Sequence, residues 1–294
     1  MRFNHKLRQI AITTAIASLF SITNSFAMLE DRERGYHPYS PCSIFSYDVN
    51  ASVDDVKIGS AAGIDQGAHG DCWFESAMAA LARFPAGTRL LSEMITEEGG
   101  VYFVRFLDEP HPKWKVTQTD ISNANLIDSA PWANVLEAAM MKRYPQMQTG
   151  GNINHTFEAA IGGEPTSVLG LTMLTGHQAS YKLLADMTQD ELEHLLEFNL
   201  ASNVPMTAST KQNIPSQAVV PKHCYTVLAY DPGSSTITVR NPWGKNISKT
   251  YTGLPTANHS VGGVSNLGNG IMQMSISSFI KYYSLVTWSR VFHL

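Results

Sequence analysis

Apolar and polar positions follow two different rhythms along this chain. In WFESAMAALAR, residues 73–83, apolar Trp73, Ala77, Ala80 and Leu81 fall at helical spacing, which predicts a helix. Gly70-Asp71 ahead of it supplies a turn and a capping side chain. Ala133–Tyr144 predicts a second helix, stopped by Pro145, and Gln189–Leu200 a third behind the cap residue Thr188. Val101–Leu107 and Lys113–Gln118 alternate with period two and predict strands joined through a Pro110/Pro112 turn. Gly150-Gly151 and Gly162-Gly163 punctuate a loop region. Beyond residue 205 the period of two prevails: Met206–Ser209, His223–Tyr230, Thr236–Asn241, Ser248–Tyr251 and Met272–Ser275 read as short strands. Asp231-Pro232-Gly233-Ser234 is a turn between two of them. Ser277–Tyr283 predicts a short helix before a last strand, Val286–Phe292. A helical first part followed by an antiparallel second part is α+β, not βαβ, with the change near residues 200–205.

Composition narrows the class. The 294 residues are 44% apolar and only 16% charged, enough to fill a core and too apolar for a disordered chain. Three cysteines cannot staple a disulfide scaffold. The first residues have a character of their own. Arg2, Lys6 and Arg8 precede an uncharged apolar run from Ile10 to about Ile22, and small residues follow at Ser25 and Ala27. That is the layout of a secretory signal cut after Ala27, and the run is short of the about 20 residues that span a bilayer. Residues 28–60, polar and broken by Pro38 and Pro41, read as an extended lead-in. The expected divisions are a signal at 1–27, an extended segment at 28–57, a helical lobe at 58–203 and a β-rich lobe at 204–294.

Charge separates these parts. All 25 acidic residues lie between 28 and 231, while residues after Asp231 carry only the basic Arg240, Lys245, Lys249, Lys281 and Arg290. The net charge of −4 argues against a nucleic-acid partner, which needs a surplus of Lys and Arg.

Chemistry concentrates at Gln66-Gly67-Ala68-His69-Gly70-Asp71-Cys72-Trp73. A cysteine in the first turn of a helix has its thiolate stabilised by the helix N-terminus. Backbone N–H groups there point at a developing oxyanion, and Gln66 adds a side-chain donor. A cysteine alone is more often a buried structural residue. A nucleophile needs a base, and His223 opens a strand-like run, His-Cys-Tyr-Thr-Val-Leu. Asn241 ends the next strand, placed to fix the imidazole tautomer, and the indole of Trp243 is placed to shield that pair from water. The order Cys, His, Asn with a long first gap agrees with papain-like cysteine proteases.

Three segments resemble calpains closely. QGAHGDCWFESAMAALA is similar to their nucleophile segment, KHCYTVLAYD to their His strand and TITVRNPWG to their Asn strand. GGVYFVRF with KWKVTQTD, APWANVLEAAMMKRYPQM and NGIMQMSISSFIKYYSLV extend the likeness to about residues 58–292. The resemblance implies a two-lobed papain-like fold and a cysteine endopeptidase. Its roles fall on Cys72 as nucleophile, His223 as base, Asn241 as orienter, Gln66 in the oxyanion hole and Trp243 beside the His–Asn pair. The same triad also serves transamidases, deamidases and cell-wall amidases, and a silent cleft could hold a peptide without cutting it. Labelling of Cys72 would separate the last case.

Two departures stand out: Lys222 replaces the usual Gly before the base, and Glu75 occupies a normally apolar position. Calpains depend on calcium, a cation that requires several oxygen ligands. No carboxylate follows Asp231, so the second-lobe calcium site of the family is expected to be absent, with no cofactor and no metal. Expected partners are a protein or peptide substrate, without nucleic acid and without membrane once the signal is removed; the chain is expected to be a monomer. Cys42 and Cys224 either pair in a disulfide or remain two buried thiols. His69 is expected on an exposed loop, and His155, His177 and His194 have no zinc-ligand spacing. Asn50, Asn154, Asn246 and Asn258 lie in N-x-S/T sequons.

Overall fold

The structure, a computed structural model, describes residues 61–109, 113–145, 165–214, 219–244 and 260–290. The Pro110/Pro112 turn, the paired glycines at 150–151 and 162–163, the run Ser248–Tyr251, Cys42 and all four sequons lie outside those residues. Among the described residues no helix is long and apolar enough to cross a membrane.

After a short 3-10 turn at Ala61–Gly63, α1 (Cys72–Ala82) begins one residue before the predicted helix. Every residue of α1 is buried. Asp71 stands at its N-cap, but the side chain makes no cap hydrogen bond; its backbone oxygen accepts from Phe74 and Glu75 N–H instead. The predicted capping side chain is thus otherwise engaged, as described below. α2 (Pro85–Glu93) follows at once, Pro85 being tolerated at the first helical position because the N–H there has no intrahelical partner. β1 (Ile95–Glu98), β2 (Val101–Val104) and β3 (Trp114–Thr117) form a three-stranded antiparallel sheet. α3 (Gln118–Ala124) opens on a Thr117/Asp120 capping box and ends on left-handed Asn125. α4 (Pro131–Arg143) ends on Tyr144, just ahead of Pro145.

α5 (Thr166–Thr175) lies against α1, and Gly170 permits the approach. A Cβ there would stand 2.8 Å from Trp73 O and 3.2 Å from Ala77 Cβ. β4 (Ala179–Leu183) and α6 (Gln189–Ala201) come next, the helix capped by the reciprocal Thr188/Glu191 pair. Then follow β5 (Met206–Thr210), β6 (Cys224–Asp231), β7 (Thr236–Arg240), β8 (Ser260–Val261), β9 (Val264–Gly268), β10 (Ile271–Ser275), α7 (Ile276–Tyr282) and β11 (Tyr283–Ser289). The last strand begins three residues earlier than its pattern predicts, because Tyr283 and Leu285 already pair with β5. Strands β4 to β11 make one eight-stranded sheet in the order β4-β11-β5-β6-β7-β10-β9-β8, with antiparallel pairings throughout.

The architecture is α+β, as the pattern predicts, and consistent with a papain-like core. Buried apolar side chains fall into two clusters. One gathers α1, α4, α5 and the small sheet around Trp73, Phe74, Trp132 and Leu136. The other gathers α6, α7 and the large sheet around Leu196, Tyr225, Phe279 and Tyr283. α1 meets the large sheet along β6, where Ser76 Oγ donates to Cys224 O at 2.8 Å and Thr226 Oγ1 donates to Ser76 O at 2.8 Å. Both bonds are buried, so losing either hydroxyl removes a hydrogen bond that water is not at hand to replace.

Gly170→Val overpacks the α1/α5 contact. We expect about 1–3 kcal/mol of destabilisation, seen as a lower urea midpoint at unchanged slope.

Candidate active site

Three segments converge at the end of β7. The loop ahead of α1 is tied there twice: Gln66 N–H donates to Pro242 O at 2.9 Å, and Arg240 Nη2 donates to Ile64 O at 2.7 Å. Gly244, at φ 64°, completes the junction, since a Cβ would fall 1.8 Å from Asp65 Oδ1. Glycine takes this left-handed conformation without strain, and a side chain here would displace the Asp65 carboxyl group.

His223 stands one residue before β6 and is fixed by its backbone. Its N–H donates to Thr210 Oγ1 at 2.9 Å, and its carbonyl accepts from Thr210 N at 2.9 Å. The ring lies between Tyr225, edge-on at 5.1 Å, and Trp243, tilted at 4.8 Å between centroids. Nε2 is 2.9 Å from Asn241 Oδ1. The same Oδ1 accepts the Trp243 backbone N–H at 3.1 Å, which identifies that atom as oxygen. Nε2 must therefore carry the proton, leaving Nδ1 of the neutral ring as the basic nitrogen. Asn241, fully buried, also donates its backbone N–H to Gly270 O at 2.9 Å. The structure thus brings His223, Asn241 and Trp243 together.

Cys72 is the first residue of α1, 7% exposed, and its thiol borders the backbone of Cys224, one residue beyond His223. Burial pushes this thiol well above its ordinary range, helped by Cys224 and Asp71, so burial outweighs the expected pull of the helix N-terminus. Burial also pushes His223 down to about 4, against the raising effect of its bond to Asn241. Burial thus disfavours the charged form of both groups. Cys224 is a free, buried thiol.

Gln66 Nε2 donates to His69 O at 2.7 Å and to Asp71 Oδ1 at 3.0 Å. With two acceptors before it, that atom must be nitrogen, and both amide hydrogens are engaged. His69 is half-buried, not on the exposed loop its surroundings predict, because its Nε2 meets Ala124 O at 2.7 Å. Lys222 has φ 51°, in the left-handed region. The usual glycine of the resembled motif would sit there without strain.

A group that the sequence reading did not assemble lies behind Gln66. Asp71, Glu75 and Glu137 are all buried, and one carboxyl oxygen from each lies within 4.8 Å of the other two. Asp128, the Arg240 guanidinium and Asp65 lie nearby. Glu75 was visible as a charge on an apolar helix, but Asp128 and Glu137 approach it only through the fold.

Residues 46–289 match the family model described as calpain family cysteine protease. The chain is 23% identical over 276 residues to the calpain-type cysteine protease ADL1 of Oryza sativa subsp. japonica. It is 24% identical over 279 residues to the calpain-type cysteine protease DEK1 of Zea mays. Each comparison covers 86% of this chain but 12% of the relative, so the chain spans about an eighth of those proteins.

Two outcomes follow from the geometry around His223. His223 binds its proton more weakly folded than unfolded, so its contribution to stability is intact above pH 6.5 and is lost as pH falls to about 4. Over that window wild type should lose on the order of 3 kcal/mol relative to His223→Gln, measured by urea unfolding. Lys222→Gly should stabilise by about 0.5–1 kcal/mol, relief of strain being partly offset by the freer unfolded chain.

Proposed function

The chain belongs to the calpain family of cysteine proteases, and from that premise we propose that it is an exported endopeptidase using Cys72, His223 and Asn241. The observation that carries the reading is the His223–Asn241 pair. Its tautomer leaves Nδ1 free of a proton, and it sits one residue from the strand position that the Cys72 thiol touches.

Burial disfavours charge on both reacting groups, so the proton passes from sulfur to Nδ1 as the substrate carbonyl is attacked. The tetrahedral oxyanion is received by the Cys72 backbone N–H and by Gln66 Nε2, which turns one hydrogen away from His69 O. His223 then protonates the departing amine. Water attacks the thioester with the imidazole as base and frees Cys72. Asn241 keeps the ring in one tautomer throughout, and Trp243 covers the pair.

Export rests on the basic, apolar and small-residue order of Arg2 to Ala27. Activity without calcium rests on the absence of any Asp or Glu after Asp231, which leaves that part of the chain without a carboxylate ligand. The substrate is a protein or peptide, and the enzyme acts as a monomer.

Digestion of a peptide library by the purified protein tests this. Cys72→Ala and His223→Ala should each lower kcat by roughly 10⁴-fold or more, and Asn241→Ala by roughly 10²-fold, with the fold retained by circular dichroism. Turnover persisting in Cys72→Ala would sink the mechanism. Hydrolysis should also survive a chelator; loss with chelator and recovery with calcium would refute the calcium-free part.

A further inference from the structure

Peptide-bond chemistry makes no use of the carboxyl groups behind Gln66. Asp71 and Glu75 are 0% exposed and Glu137 is 1% exposed. Asp71 Oδ2, both oxygens of Glu75 and Glu137 Oε1 are buried and receive no hydrogen bond from a donor group. Yet oxygens of the three residues converge within 4.8 Å. Carboxylates this close and this dry repel one another strongly, and a shared proton is the least costly remedy.

The surroundings do not supply the missing charge. α1 contributes Asp71 and Glu75, and α4 contributes Glu137. The loop ahead of α4 adds Asp128, whose Oδ1 accepts Asp65 N–H at 2.6 Å, and the loop ahead of α1 adds Asp65 itself. β7 adds Arg240, 3% exposed, with Nη2 held by Ile64 O and Nη1 unpartnered. Five carboxyl groups therefore face one guanidinium among the described residues. Burial and then mutual repulsion push Glu75 and Glu137 well above the usual carboxylate range, and burial pushes Asp128 up to about 6. A metal ion could neutralise the same oxygens. It would stand beside the Arg240 charge, however, and would compete with Gln66 for Asp71.

We propose that Glu75 and Glu137 hold protons and keep Asp71 as the acceptor that positions Gln66, so that this carboxyl cluster acts on the oxyanion hole through the Gln66 amide. The proposal rests on Gln66 serving the hydrolysis described above. Asp71, Glu75 and Glu137 are positioning residues; none touches substrate. Asp71 Oδ1 takes one Gln66 hydrogen at 3.0 Å and leaves the other to turn from His69 O towards the oxyanion. Loss of protons at high pH places negative charge behind the helix N-terminus where a second negative charge must form. The penalty falls on the transition state, and so on kcat more than on KM.

Glu75 is the residue to change, since the resembled motif has an apolar side chain there. In Glu75→Gln and Glu75→Leu that position cannot ionise. The alkaline limb of the kcat profile should move up by about one pH unit in both, with the KM profile unmoved. An infrared readout needs no turnover: wild type at neutral pH should show the carbonyl stretch of a protonated, buried carboxyl group, and Glu75→Gln should lose part of it. Absence of that band, or an alkaline limb unmoved in both variants, would overturn the proposal. So would terbium(III) luminescence sensitised by tryptophan in wild type and lost in Glu75→Gln, which would show a cation in place of the protons. If no peptide is hydrolysed at all, the positioning role falls with the proposed reaction, while the infrared band still reports whether the protons are there.

Discussion

Ser76 donates a buried hydrogen bond to Cys224 O and accepts one from Thr226 across the seam between α1 and β6, and the rest of the site depends on that seam. It fixes the height of the helix against the strand, hence the position of Cys72 relative to the residue that follows His223. α5 presses from the other side, where Gly170 lets the Trp73 backbone come close. A helix held on both flanks has no free face. Its first residue is placed by packing, and the loop before it is tied to the turn after β7 through Gln66 and Pro242.

This confinement also explains the electrostatics. A nucleophile on an exposed helix end would gain from the helix dipole and from water. Here the helix end is dry, and desolvation dominates at both Cys72 and His223. The same dryness forces the acidic groups around Glu75 to keep protons. The bias against charge at the proposed nucleophile and base, and the charge crowding behind them, therefore have one cause.

Much of this was legible in the sequence, and the failures are informative. The Cys72 helix, the Thr188-capped helix and most strands after residue 205 show in simple periodicity. α5, TSVLGLTMLT, does not, because it is almost wholly buried and so has no polar face to set a rhythm, and its central Gly170 reads as a breaker. β4 escapes for the opposite reason: as an edge strand it is polar and mostly exposed. The partners of His223 could be picked from spacing and resemblance. Its tautomer could not, because that follows from the Trp243 N–H sharing Asn241 Oδ1. Asp71 reads as a capping residue and occupies the cap position, but its carboxyl serves Gln66. The cluster it joins draws on residues 71, 75 and 137, and no local pattern joins them.

The burial that raises the Cys72 thiol has a consequence for durability. Peroxides and disulfides attack thiolates far faster than thiols, so a sulfur that burial disposes to keep its proton is slower to be oxidised. Desolvation, which outweighs the opposing pull of the Cys224 backbone, would let this sulfur persist in oxidising surroundings where an exposed thiolate would be consumed.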